Sequence, residues 1–128
     1  MDTLLKASDY VSIHAPLNEK TTHMIGKPQL ALMKKRAIFV NTARGPIVDE
    51  NALFEALESK QIDYAGLDVF EQEPLPDESP LRRLDNVMLT DHAAWYSAES
   101  TRELQMKTAK NVAAVLSGKR PTYPVNTV

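Results

Sequence analysis

Three residues of this 128-residue chain have the types and the spacing to share a reaction: Arg44, Glu73 and His92. Each follows an apolar, β-prone burst. Ala37-Ile38-Phe39-Val40 runs out into Asn41-Thr42-Ala43-Arg44, the stretch from Tyr64 to Phe70 into Glu71-Gln72-Glu73, and Val87-Met88-Leu89 into Thr90-Asp91-His92. Arginine is permanently charged and offers a planar fork that matches a carboxylate, so Arg44 suits a small acid. Histidine gives or takes a proton near neutral pH, which fits His92 to act at a substrate oxygen. A carboxylate beside an imidazole orients it and holds its protonated form, and Glu73 is a candidate at the neighbouring strand end. Holding, protonating and tuning together suit the interconversion of a 2-hydroxy acid and a 2-oxo acid. None of the three carries electrons, so a hydride must come from a cofactor. Singly, each has an ordinary explanation as a turn arginine, a structural histidine or a solvated loop acid. Their common position is what joins them, because ligands of parallel α/β sheets bind outside the carboxyl ends of the strands.

The elements that must position them follow from pattern and punctuation. Residues 3–7 read as the last turn of a helix, and Tyr10-Val11-Ser12-Ile13-His14 as a strand stopped at Pro16. A short helix opens near Pro28 and runs through Met33, with Lys34-Lys35-Arg36 closing it at the cation-favouring end. A buried strand covers 37–42, Gly45-Pro46 makes a turn, and Asp49 caps a helix through Ser59 that buries Leu53, Phe54 and Leu57. A strand at 64–70 precedes a loop carrying Pro74, Pro76 and Pro80, expected to lie extended on the surface. After a strand at 87–90, Ser97 caps the longest helix, whose Ala109, Val112, Ala113 and Leu116 share a face, with Gly118 and Pro121 as stop signals. Strand and helix alternating through short connections imply an α/β fold: a partial, Rossmann-like, doubly wound parallel sheet of about four strands with a long C-terminal helix. The glycines stand at 26, 45, 66 and 118, so the Gly-x-Gly-x-x-Gly phosphate loop of such folds is not among these residues.

Composition excludes several classes of function. A net charge of −2 gives no nucleic-acid surface, and 43% hydrophobic with 25% charged residues is ordinary for a globular domain. The absence of cysteine removes disulfides, thiolate metal sites and cysteine nucleophiles. No metal site, no signal peptide and no membrane segment is expected, and a cytoplasmic location fits.

Asn41-Thr42-Ala43-Arg44-Gly45 with Val48-Asp49-Glu50, Gly66-Leu67-Asp68-Val69-Phe70-Glu71-Gln72-Glu73-Pro74 and His92-Ala93-Ala94, in this order, resemble the signatures of the D-isomer-specific 2-hydroxyacid dehydrogenases. The resemblance implies that residues 1–118 are the C-terminal half of an NAD-binding domain and 119–128 a tail returning toward a substrate domain. It implies Arg44 as the substrate-carboxylate ligand, His92 as acid/base and Glu73, rather than Glu71, as its partner. His14, Pro16, Thr21, Thr42, Ala43, Arg44, Asp68, His92 and Ala94 would face the cofactor, which is NAD, with NADP left open. His92-Ala93-Ala94-Trp95-Tyr96 looks most like the branch holding the C-terminal-binding-protein corepressors, where a tryptophan borders the substrate pocket. Trp95 would then join Arg44 and His92 against a small 2-hydroxy or 2-oxo acid, in a homodimer or larger oligomer. Asp91 replaces the proline usual in the family, which loosens the turn before His92. The expected function is that of a dehydrogenase fragment, inactive alone; the alternative is a non-catalytic or corepressor-like half-domain that associates through an exposed edge strand.

Overall fold

In a computed structural model, residues 1–126 are described, and the chain divides into two compact units that meet in sequence between Ala94 and Trp95. The first carries α1 (Asp2–Ala7), β1 (Tyr10–Ile13), α2 (Lys27–Leu32), β2 (Ile38–Asn41), α3 (Glu50–Glu58), β3 (Tyr64–Leu67) and β4 (Val87–Leu89). The strands form one parallel sheet in the order β1-β2-β3-β4. The register sets Ile13 beside Asn41 and Asn41 beside Leu67, so the segments leaving these strands start side by side. That level start is what gathers the candidate residues at one edge.

Alternation along the strands decides which face is covered. Val11 and Ile13, Phe39, and Ala65 and Leu67 are buried, and they share a core with Leu5, Leu30, Leu53 and Leu57 of the three helices. Tyr10, Tyr64 and Met88 are exposed on the other face, so β2 and β3 are half-buried strands rather than strands buried on both sides. Phe39 is wholly buried, and filling its place is worth about 2–3 kcal/mol. Asp49 caps α3 as expected, its carboxylate accepting the Ala52 N–H at 3.0 Å. Asn86, also buried, ties the turns beside β3 by donating to the carbonyls of Leu57 and Asp63.

The structure departs from the sequence-based expectation in three further places. α2 ends at Leu32, and Lys34-Lys35-Arg36 lie beyond it, where Lys34 pairs with Asp9 at 2.9 Å instead of serving the helix end. β3 stops at Leu67; Asp68 to Phe70 stay buried, with the Asp68 N–H still donating to the Asn41 carbonyl at 3.0 Å and the Phe70 N–H going to Glu73 instead of a strand. The proline-rich loop is not merely extended: it holds a 3-10 turn at Pro80–Arg83 and buries Leu75 and Leu81.

In the second unit, α4 (Ala98–Leu116) is capped by Ser97, whose hydroxyl accepts the Ser100 N–H at 3.1 Å, and it is followed by Gly118 at φ +70°. No residue of α4 is buried, and Val112 and Leu116 on its apolar face are exposed. Among the described residues no helix is long and apolar enough to cross a membrane.

Candidate active site

The turn after β2 is built by a buried side chain. Asn41, 1% exposed, accepts the Ala43 N–H at 3.1 Å and donates to the Arg44 carbonyl at 3.0 Å, folding 41–44 back on itself. Arg44 is exposed, and its guanidinium donates to the Ala43 carbonyl at 2.6 Å. Beside it an open cleft of about 580 Å³ is lined by His14, Ala15, Pro16, Leu17, Thr42, Ala43 and Arg44, the carboxyl ends of β1 and β2. Four of the expected cofactor residues other than Arg44 thus share one cleft with it. Thr21 does not line it: its hydroxyl donates to the Pro16 carbonyl at 2.7 Å and accepts the Asn18 N–H at 2.8 Å, bracing the segment behind Pro16. His14 is met by the Ser12 hydroxyl at 2.9 Å.

The ends of β3 and β4 bring the acid and the histidine together. Glu73 Oε2 lies 2.8 Å from His92 Nδ1, and Glu73 Oε1 accepts the Phe70 N–H at 3.0 Å. The hydrogen bond from His92 is the main reason the Glu73 carboxyl sits below its usual range; burial opposes it, while the Phe70 N–H and the charges of His92 and Arg44 reinforce it. Glu71 is not on the imidazole. A carboxyl lowered on folding stabilises the fold above its unfolded value near 4.5, and that contribution is lost as pH falls through the lower folded value. Both side chains are more than a third exposed, at 40% and 37%, so the effect is screened to about 1 kcal/mol or less. Glu73→Gln is therefore expected to flatten the acid limb of stability slightly, readable by urea unfolding between neutral and acid pH; an unchanged acid limb would refute the pairing.

Asp68 occupies a place that strand-end reasoning missed. It is 3% exposed, and its carboxylate accepts the Thr90 hydroxyl, the Ala93 N–H at 2.8 Å and the Ala94 N–H at 2.9 Å. Burial would raise its pKa, yet these three donors and the neighbouring His92 outweigh burial and hold the carboxyl low. Its backbone carbonyl also accepts the His92 N–H at 2.8 Å. These bonds pin His92 at φ +47°, a left-handed conformation that costs a side-chain-bearing residue about 1 kcal/mol. Ala94 thus meets Asp68 through its backbone. Trp95, half-exposed, belongs to the second unit, where its ring meets Tyr96 edge-on at 5.3 Å.

Gly45 opens the turn expected of it, but space is its requirement. A Cβ there would stand 1.9 Å from the Phe70 carbonyl carbon and oxygen and 2.5 Å from the Glu71 nitrogen. The turn bearing Arg44 therefore abuts the backbone bearing Glu73. Among the described residues no cluster of His, Asp and Glu could hold a metal ion.

An exposed arginine and a histidine–carboxylate pair at adjoining strand ends lie at the edge of a parallel sheet where ligands of nucleotide-type α/β folds bind. Residues 1–94 match the family described as D-isomer specific 2-hydroxyacid dehydrogenase, NAD binding domain, and the chain belongs to that family. It is 49% identical over 126 residues to a glyoxylate reductase of Korarchaeum cryptofilum, covering 98% of this chain and 38% of that protein. It is 50% identical, again over 126 residues, to glyoxylate/hydroxypyruvate reductase B of Enterobacter agglomerans, covering 98% of this chain and 39% of that one. Among solved structures, D-lactate dehydrogenase with NAD+ from Lactobacillus jensenii superposes with a TM-score of 0.89 at 36% identity, covering 98% of this chain and 42% of that one. The chain spans about two fifths of the length of the curated relatives it matches.

Proposed function

We propose that these residues supply the catalytic edge of an NAD(H)-dependent reductase of small 2-oxo acids, cytoplasmic and homodimeric or larger, and that the 128 residues alone do not turn substrate over. The observation that carries this reading is the 2.8 Å pair of His92 and Glu73 at strand ends beside that of Arg44. The glyoxylate and hydroxypyruvate reductase names of the relatives favour a two- or three-carbon oxo acid. The open cleft at the β1 and β2 ends, lined by His14 and Thr42 among others, suits part of a dinucleotide, NAD or NADP.

Bound NADH would supply the hydride that arrives at the substrate carbonyl carbon. Arg44 leaves the Ala43 carbonyl and clamps the substrate carboxylate in two parallel bonds, which presents the adjacent carbonyl to His92. With Nδ1 bonded to Glu73, the proton delivered to the carbonyl oxygen is the one on Nε2, and Glu73 stabilises the imidazolium before transfer. Oxidation of the hydroxy acid runs the same contacts in reverse. The corepressor-like branch belongs to the same reading, on the pattern His92-Ala93-Ala94-Trp95-Tyr96.

The test is NADH or NADPH consumption with glyoxylate, hydroxypyruvate and pyruvate, using the natural polypeptide in which these residues occur. Turnover of at least one is expected, and Arg44→Lys, which loses the fork, should raise KM about tenfold. No consumption with any of them would sink the reading. The interaction-module reading has one observation in its favour: β1 stands at the end of the sheet order with β2 as its one strand neighbour in the first unit. Self-association of the 128-residue chain on size exclusion, abolished by proline within β1, would support it.

A further inference from the structure

Glu71 shares the strand end with Glu73 but points its carboxylate elsewhere. Its Oε1 accepts the Glu50 N–H at 3.0 Å, and its own N–H donates to Glu50 Oε2 at 3.1 Å. His23 Nε2 lies 3.0 Å from the same Oε1. His23 is held in turn at φ +49°, with its N–H donating to the Pro46 carbonyl at 2.8 Å. Three segments, those following β1, β2 and β3, are thereby tied at one point.

We propose that Glu50, Glu71 and His23 form a positioning clip that sets the Arg44 turn against the Glu73–His92 pair. This rests on the reading above only in that Arg44, Glu73 and His92 are the residues being positioned. The clip is joined to both in sequence: Glu71 is two residues before Glu73, and Glu50 begins α3 six residues after Arg44. Helix capping accounts for only part of it: Glu71 takes the N–H of Glu50, the first residue of α3, but the return bond from the Glu71 N–H to Glu50 Oε2 and the His23 contact serve no helix end. The arrangement also has an electrostatic cost. Burial, and after it the charge of Glu71, pushes the Glu50 carboxyl up against the lowering effect of the Glu71 N–H. Two carboxylates held together at that cost, with reciprocal backbone bonds across 21 residues, fix one geometry between the loops.

The readout is the ring nitrogen spectrum of His92 in the 128-residue chain, labelled with ¹⁵N, because the tautomer reports whether Glu73 holds Nδ1–H. Wild type should show Nδ1 protonated, and Glu73→Gln serves as the control that removes the acceptor charge. Glu71→Ala and Glu50→Ala should lower the Nδ1–H to Nε2–H ratio by about threefold or more, the effect of weakening a hydrogen bond of ordinary strength. Glu50→Gln, which keeps an acceptor for the Glu71 N–H, should stay at the wild-type ratio. If Glu71→Ala does not fold, the comparison of Glu50→Ala with Glu50→Gln decides alone. Unchanged ring signals in both alanine variants, or a Glu50→Gln loss as large as that of Glu50→Ala, would overturn the clip. Loss of stability without a tautomer change would assign these residues a structural role only. The readout needs no turnover, so a failed dehydrogenase assay leaves it intact.

Discussion

Gly45→Ala is expected to destabilise the first unit by about 3 kcal/mol or more, among the larger effects of a single methyl group. The added carbon would stand 1.9 Å from both atoms of the Phe70 carbonyl, and main chain cannot rotate away as a side-chain tip can. Gly45 is buried and is not a positive-φ glycine, so the penalty is steric overlap and not the loss of a left-handed backbone. Relief requires the Arg44 turn to part from the Phe70–Glu73 segment. That separation would break the two bonds joining Glu50 and Glu71 and widen the gap between Arg44 and the His92–Glu73 pair. Urea unfolding of the 128-residue chain measures the cost. A variant within about 1 kcal/mol of wild type would mean that the two segments are free to slide, and would remove the steric basis for a fixed site.

The difference between what pattern reveals and what packing decides is clear in these same segments. The strand ends at Arg44 and His92 are legible because apolar bursts must be buried and the polar residues after them must emerge at the sheet edge. Glu73 could be preferred over Glu71 only through family resemblance, since spacing alone offers both acids to the histidine. The structure separates them by a contact 21 residues away, Glu71 to Glu50, which no local pattern carries. Asn41 gave a weak signal, a polar residue within an apolar strand, and its burial at the turn is the reason it is there. On α4 the spacing of Val112 and Leu116 marks a shared apolar side, but spacing does not say what covers it, and both residues are exposed. The end of β3 at Leu67 is hidden from pattern because Asp68-Val69-Phe70 are buried as a strand would be and the Asp68 N–H still donates to the Asn41 carbonyl, while its side chain serves the turn at His92.

Asp68→Ala is expected to cost about 2–3 kcal/mol of stability and, in a polypeptide that reduces 2-oxo acids, about a hundredfold in kcat. The stability cost is moderated because Ala93 and Ala94 are exposed, so their freed N–H groups can turn to water. The catalytic cost is larger because Asp68 opposes the strain at His92. Without the bonds to Ala93, Ala94 and Thr90, a histidine at φ +47° relaxes toward an ordinary backbone and carries its ring off Glu73. Asp68→Asn separates shape from charge. Its amide oxygen still accepts one or two of the donors, but its NH2 group faces another N–H, so part of the anchoring is lost while the volume is kept. The pH dependence gives a second handle. The folded Asp68 carboxyl lies below its unfolded value near 3.8, so its stabilisation is present above that value and is lost as pH falls through the lower folded one. Wild type should therefore lose stability in acid more steeply than Asp68→Asn. Equal acid limbs, together with an unchanged kcat, would show that the turn is held by its own backbone and that His92 owes its place to the chain rather than to Asp68.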